Sequence, residues 1–308
     1  MPFALGSIGV PFRMQPGLAR LGPLDPPPLT PARPGSRHLR EKTAVLAAFP
    51  ERALASIDAF DASPALAAVA AASSGAFTVD GPGEAAAPGI GWALRRHSPV
   101  GDGEPAVGAA LARTEPRRRV AALACLAFDE DLAIVDGESG RVPWLAVALP
   151  SRWAPEAQVG RSLAAIHGPV ADGEAVRAAS ERLVALVTGG DAFERFVWTV
   201  SPDPRLHQHP THGLVAWDAG DDAGSLAARA SLRHERQTFI PVPGRRQAVF
   251  TIRVDSEPLA LAVRTQADAR RLRASLASMT PAVLAYKGLA PARERLLAWL
   301  DGHASGAA

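Results

Sequence analysis

The chain has 308 residues, 47% of them hydrophobic and 21% charged, a composition that can bury one large core or two modest ones and that excludes global disorder. Its 33 basic and 31 acidic side chains leave a formal net charge of +2, too small an excess to argue for a nucleic-acid partner. The one cysteine, Cys125, excludes an intramolecular disulfide and a thiolate cluster, and its apolar neighbours point to a buried, inert thiol.

In chain order, the Pro-, Gly- and Arg-rich residues 1–40 read as an extension laid over the remainder, and 41–308 as a single α+β domain. The opening MPFALGSIGVPFRM has no basic start, and no run reaches the roughly 18 uncharged apolar residues of a membrane span. The expectation is therefore a cytoplasmic protein without a membrane partner. KTAVLAAFPERALASIDAF predicts two helical pieces parted at Pro50, because proline cannot continue a helix interior without losing a hydrogen bond. Residues 64–73 predict another helix, and SSGAFTVDGPGEAAAPGIG reads as a loop and an internal boundary.

After the basic run Arg117–Arg119, to which no partner is assigned, AALACLAF predicts a strand, and DLAIVD with VPWLAVALP predicts a hairpin turning at GESGR. Residues 156–167 and 174–187 return to helical spacing, and RFVWTVS reads as a strand. LRHERQTFIPV and AVFTIRVDS form the clearest hairpin, and helices over 266–278 and 291–301 close the chain. Hairpin-linked strands with helices before, between and after them predict an antiparallel α+β fold rather than a doubly wound parallel sheet.

The common catalytic signatures are absent: there is no phosphate loop, no H-E-x-x-H and no nucleophile elbow. Three places could carry chemistry. In GRSLAAIHGPV, His167 ends an apolar helical turn on the side of Leu163 and is stopped by Gly168 and Pro169, which suits a core histidine or a ligand aimed into a pocket. His207, His209 and His212 in RLHQHPTHG could share a metal, yet they lie in a Pro-rich polar loop with no carboxylate near in sequence, which favours a solvated turn. In the long hairpin, alternation puts Arg236, Thr238 and Ile240 on one face and Arg233, Glu235, Gln237 and Phe239 on the other. A mid-strand Arg236 needs an anion, either a carboxylate that fixes the register of the sheet or an acid of a ligand.

Taken together, PFRMQPGL, DEDLAIV, ALPSRWAPEAQVGRSLAAIHGPV, LRHERQTFIPVPGRRQAVFTIR and YKG at 286–288 resemble, in this order, the haem-dependent oxidative N-demethylases. The resemblance implies a PAS-like antiparallel sheet with flanking helices that holds a b-type haem iron. It implies an oxygenase in which a small secondary or tertiary methylamine is oxidised with O2, releasing formaldehyde. Electrons would come from NADPH through FMN and an iron-sulfur centre on a separate reductase subunit, which agrees with the lack of a cysteine set and of a dinucleotide fingerprint here. It implies His167 as the proximal haem ligand and metal site, with His207 and His234 as competitors. Arg236 and Arg233 would face the haem propionates or the distal pocket, Glu235 would neutralise one of them or attract the substrate ammonium, and Trp153 and Trp198 would form pocket walls. One departure stands out: RFVWTV keeps Arg195 and Trp198 of the family's Arg-x-Asn-Trp but has Val197 in place of asparagine. An oligomer is compatible with all of this.

Overall fold

The computed structural model describes residues 3–15, 17–166 and 180–305. Its main sheet has seven strands in the order β1-β9-β10-β11-β7-β8-β2. These are β1 (Ala19–Arg20), β2 (Leu54–Ser56), β7 (Asp131–Asp136), β8 (Arg141–Ala146), β9 (Phe193–Ser201), β10 (Ser231–Pro241) and β11 (Gln247–Pro258), and every neighbouring pair is antiparallel. The hairpin β10–β11 and the strand β9 form its centre, with Glu235 opposite Val197 and Val254, and Arg236 opposite Phe196 and Arg253. Directly opposed residues share a face, so the sheet has an Arg236 face and a Glu235 face.

Helices cover both faces. Against the Arg236 face pack α1 (Arg37–Ala48), α3 (Ser63–Ala72) and α5 (Arg119–Ala127), whose Leu39, Leu46, Val69 and Leu123 join Leu132, Ile134, Ile240 and Val249 in the largest core cluster. Further along the same face, Trp198, Val200 and Leu232 are buried under α10 (Gln266–Ala277), α11 (Pro281–Tyr286) and α12 (Arg293–Ser305). On the Glu235 face, α6 (Leu163–Ile166) and α7 (Ser180–Val187) bring Leu163, Leu183 and Val187 against Val135, Phe193 and Phe239. Among the described residues, no helix is long and apolar enough to cross a membrane.

Three segments depart from the sequence reading, the first being the helix expected over 156–167, which among the described residues is a 3-10 turn at Pro155–Ala157 and α-helix only at Leu163–Ile166. AALACLAF is the helix α5 and not a strand: Ala121 to Ala127 are all buried, and a short run that is apolar on every side carries no period to separate the two states. The expected loop around residues 74–92 instead contains β3 (Thr78–Gly81) and β4 (Glu84–Ala87), which pair with β5 (Trp92–Arg95) and β6 (Ser98–Gly101) in a separate four-stranded meander. Its strands are four residues long and its turns hold Gly83, Arg96 and His97 at positive φ, so turn composition outweighed strand signal in the sequence. The Pro-rich residues before Arg37 are built into the molecule: Leu29 and Ala32 enter the main core, and Pro31 bridges to Phe128.

The chain has only two lysines, and both are buried cations that satisfy backbone carbonyls. Lys42 of α1 donates to the carbonyls of Cys125 (3.0 Å), Phe128 (3.0 Å) and Glu130 (2.6 Å) and pairs with Asp131 at 3.1 Å. It thereby caps the C-terminal end of α5, where helix carbonyls otherwise lack donors. Burial, the largest single influence, would lower its pKa, but Asp131 together with the neighbouring Cys125 and Glu130 holds it above the ordinary lysine value. Beside it the Cys125 thiol is pushed up to about 12 by burial, which makes it inert.

Glu130 accepts from the Thr30 amide at 2.7 Å through one carboxylate oxygen, and the other has no hydrogen-bond partner among the described residues. Burial raises its pKa to about 7. The folded chain therefore keeps a proton that the unfolded chain releases, and stability falls as pH rises from the ordinary carboxylate range through about 7. Glu130→Gln mimics the protonated state, so urea unfolding across this window should give a flatter stability profile, with the variant gaining about 2–3 kcal/mol on wild type above the window. Parallel profiles would assign the pH dependence to other groups.

Candidate functional site

The Glu235 face is graded along its strands. At one end Phe239 and Phe250 stack with ring centroids 4.7 Å apart, and Ala133, Leu145, Trp153 and Ile166 complete an apolar floor. Next comes a polar row in which Arg195 of β9 donates through Nε to Gln237 Oε1 at 2.6 Å. Gln237 in turn donates to Glu235 Oε2 at 2.5 Å, and the Ser151 hydroxyl donates to Glu235 Oε1. Beyond it lies Arg233, which donates from Nε to Ser151 Oγ at 2.9 Å and from its terminal nitrogens to the carbonyls of Arg205 (2.9 Å) and Leu206 (2.8 Å). Burial lowers the Arg233 pKa to about 10 even though Glu235 counteracts it. The sequence alternation thus holds: Arg233, Glu235, Gln237 and Phe239 share one face.

The YKG segment, whose role the sequence leaves open, joins this site. The half-exposed Tyr286 has its phenol held above the ordinary value by desolvation and by the Glu235 carboxylate. Lys287 is buried; its ammonium donates to the Trp198 carbonyl at 2.7 Å and lies 5.1 and 5.7 Å from the ring centroids of Phe12 and Trp198. Desolvation lowers its pKa to about 8, with Glu235 pulling the other way. One carboxylate, Glu235, therefore interacts electrostatically with Arg195, Arg233, Tyr286 and Lys287, which come from three separate stretches of chain.

Other expectations are corrected by the strand geometry. Arg236 does not join Arg233 and Glu235. It points to the opposite face, where its three nitrogens donate to Glu194 (2.9 Å) and to the carbonyls of Pro27 (2.7 Å) and Pro26 (2.9 Å). Its anion is a carboxylate on the neighbouring strand, and the arginine fastens the Pro-rich extension to the sheet. Trp198 is likewise on the Arg236 face, meeting Phe12 edge-on at 5.9 Å in a helix-covered core, so of the two tryptophans only Trp153 borders the apolar floor.

The histidine-rich loop is not a solvated turn. His209 is buried and faces both oxygens of Glu156 at 3.1 Å, a carboxylate 53 residues away in sequence. His207 has both ring nitrogens engaged, Nδ1 with the Ala148 carbonyl (2.6 Å) and Nε2 with His212 Nδ1 (2.8 Å), so it is not open to an iron. His234 stacks on Phe3 at 4.8 Å with its Nδ1 lacking a hydrogen-bond partner among the described residues, and with Arg236 and Arg253 it lines a cleft of about 880 Å3 on the Arg236 face. His167, with Gly168 and Pro169, lies outside the described residues. Ile166, immediately before it, packs with Phe250, Ala133 and Leu145.

An amphipathic disc with two carboxylates needs an apolar floor and cations, and the Glu235 face has both, Phe239, Phe250, Leu145 and Trp153 with Arg195 in the adjoining polar row and Arg233 further along the strand. No curated protein matches the sequence. A family described as haem-dependent oxidative N-demethylase, alpha subunit-like, matches residues 107–297, which contain this floor and polar row together with the YKG segment. The chain belongs to the haem-dependent oxidative N-demethylase alpha subunit-like family.

Proposed function

We propose that this chain is the haem-binding subunit of a cytoplasmic oxygenase that removes a methyl group from a small secondary or tertiary methylamine. The observation that carries the reading is the meeting of the Phe239–Phe250 floor with the hydrogen-bonded polar row Ser151–Glu235–Gln237–Arg195 in a member of this family. The central strand order β8-β7-β11-β10-β9, with helices inserted between β8 and β9, supports a PAS-like sheet. In the reaction, the amine, O2, two electrons and two protons give the demethylated amine, formaldehyde and water. The electrons come from NADPH through FMN and an iron-sulfur centre on a partner subunit.

In this reading His167 would hold the iron, and Arg195 and Arg233 would supply cations for the haem carboxylates. The haem supplies O2 activation when bound. The protein contributes charge, orientation and exclusion of water. Glu235, fixed by Ser151 and Gln237, attracts the methylammonium and takes its proton, because the nitrogen must be unprotonated to be oxidised. Turnover should therefore rise toward alkaline pH; a flat profile would remove the deprotonation from the scheme.

The test is the visible spectrum of protein expressed with ample haem precursor, comparing wild type, His167→Ala and His234→Ala with and without dimethylamine. A Soret band in wild type that is lost or shifted in His167→Ala, with an amine-dependent shift in wild type, is the expected result. Loss in His234→Ala alone would move the haem to the Arg236 face, and a colourless wild type that takes up no haem would overturn the reading. A non-catalytic PAS-like haem sensor is the second reading, favoured by Val197 standing directly opposite Glu235 where the family has asparagine. It binds haem but yields no NADPH-linked formaldehyde with any donor subunit.

A further inference from the structure

The histidine loop is laced to the segment that carries Ser151. Gln208 forms a bridge with Ser151; its amide donates to the Pro150 carbonyl at 3.0 Å, and its carbonyl accepts from the Arg152 amide at 3.0 Å. His207 Nδ1 meets the Ala148 carbonyl at 2.6 Å. Arg233 ties the same two segments together through Ser151 Oγ and the carbonyls of Arg205 and Leu206. Two of the groups around Glu235, Ser151 and Arg233, thus depend on where residues 205–208 lie.

The protons in this lattice can be assigned by elimination. A carbonyl only accepts, so His207 Nδ1 carries a hydrogen and donates to Ala148. Arg52 only donates, and it reaches His212 Nε2 at 3.3 Å, so that nitrogen accepts. The remaining contact, His207 Nε2 to His212 Nδ1 at 2.8 Å, is satisfied when His212 donates and His207 accepts. All three contacts are made only when both imidazoles are neutral. A proton added to His207 Nε2 would face the His212 N–H, and one added to His212 Nε2 would face the Arg52 guanidinium.

We propose that His207 and His212, oriented by Arg52, are positioning residues whose neutral relay holds the Ser151 segment against Glu235 and releases it in acid. The functional part of this rests on the role given to Glu235 above. The groups facing the relay are Arg52, Arg205 and His209, which oppose protonation, and Glu41 and Asp131, which favour it, while Glu156 pairs with His209 behind them. Burial and the neighbouring cations prevail: both His207 and His212 titrate below the ordinary histidine value. A depressed histidine contributes stability above its unfolded-state pKa and loses it as pH falls, so the lattice loosens on the acid side of about 6.5. Glu41 gives a second anchor, accepting from the amides of Leu206 (2.9 Å) and His207 (3.1 Å). Opening is thus confined to the Ser151 side.

The experiment is amide hydrogen exchange of the intact chain at about pH 7.5 and about pH 5.5, corrected for intrinsic rates, reading the Arg152 and Gln208 amides. Wild type should lose about tenfold or more in protection at the lower pH. His212→Asn keeps an N–H for His207 Nε2 but cannot be charged, so its protection should match wild type at the higher pH and persist at the lower. His212→Phe should be unprotected at both. Wild-type protection that ignores pH, or His212→Asn following the wild-type loss, would overturn the proposal. The readout needs neither haem nor amine, so a colourless protein would sink the demethylase reading and leave this test standing.

Discussion

Lys42→Met is expected to lower the unfolding free energy by about 3–5 kcal/mol, because it removes one partner from a fully buried ion pair. Methionine fills much of the same volume, so the loss is electrostatic. The carbonyls of Cys125, Phe128 and Glu130 lose their common donor, and the Asp131 carboxylate stays buried without its cation. Asp131 cannot escape to solvent, since its other oxygen accepts from the Leu149 amide at 2.7 Å. The double variant Lys42→Met, Asp131→Asn keeps that acceptor and removes the stranded charge, so it should recover at least about 1 kcal/mol. Chemical denaturation of the four proteins of the cycle measures this. A single-variant loss under about 1 kcal/mol would mean that water reaches the site and the pair is not a fastening of α1 to α5 and β7.

Legibility in the sequence follows the range of the interaction involved. The long hairpin was readable because strand alternation is local: residues 231–241 declare their two faces within eleven positions, and the structure keeps Arg233, Glu235 and Gln237 together as read. The turn around Gly244 and the closing helices were readable for the same reason. Arg236 was half readable. Its need for an anion is a matter of charge, but the choice between Glu194 and a ligand depends on a strand 42 residues away. Lys42 was hidden because a lysine among Glu41 and Thr43 looks like the wet side of a helix until α5 is folded against it. The links from Tyr286 and Lys287 to Glu235 were hidden too, since they exist only once the C-terminal helices cover the end of the sheet. Glu156 and His209 repeat the lesson at 53 residues.

Glu235→Gln should cut amine turnover by the haem-loaded protein, supplied with its electron donor, by about 100-fold or more. Glutamine preserves the shape and can keep the contacts to Ser151 and Gln237, but it neither attracts an ammonium nor takes its proton. The same change has a consequence that requires no turnover. Glu235 is the group that opposes desolvation at Lys287, so without its charge Lys287 should titrate below its present value of about 8. With two lysines in the chain, nitrogen-15 lysine labelling gives two side-chain resonances, and Lys42, which answers to Asp131, serves as the internal control. A fall in turnover together with a downward shift at Lys287 alone would place the carboxylate in both roles. If turnover falls while the Lys287 titration is unmoved, the electrostatic link across the edge of β9 is wrong and Glu235 acts on the amine only. If the titration shifts and turnover is retained, Glu235 is an organiser of buried charge, and the proton must leave the amine by another route.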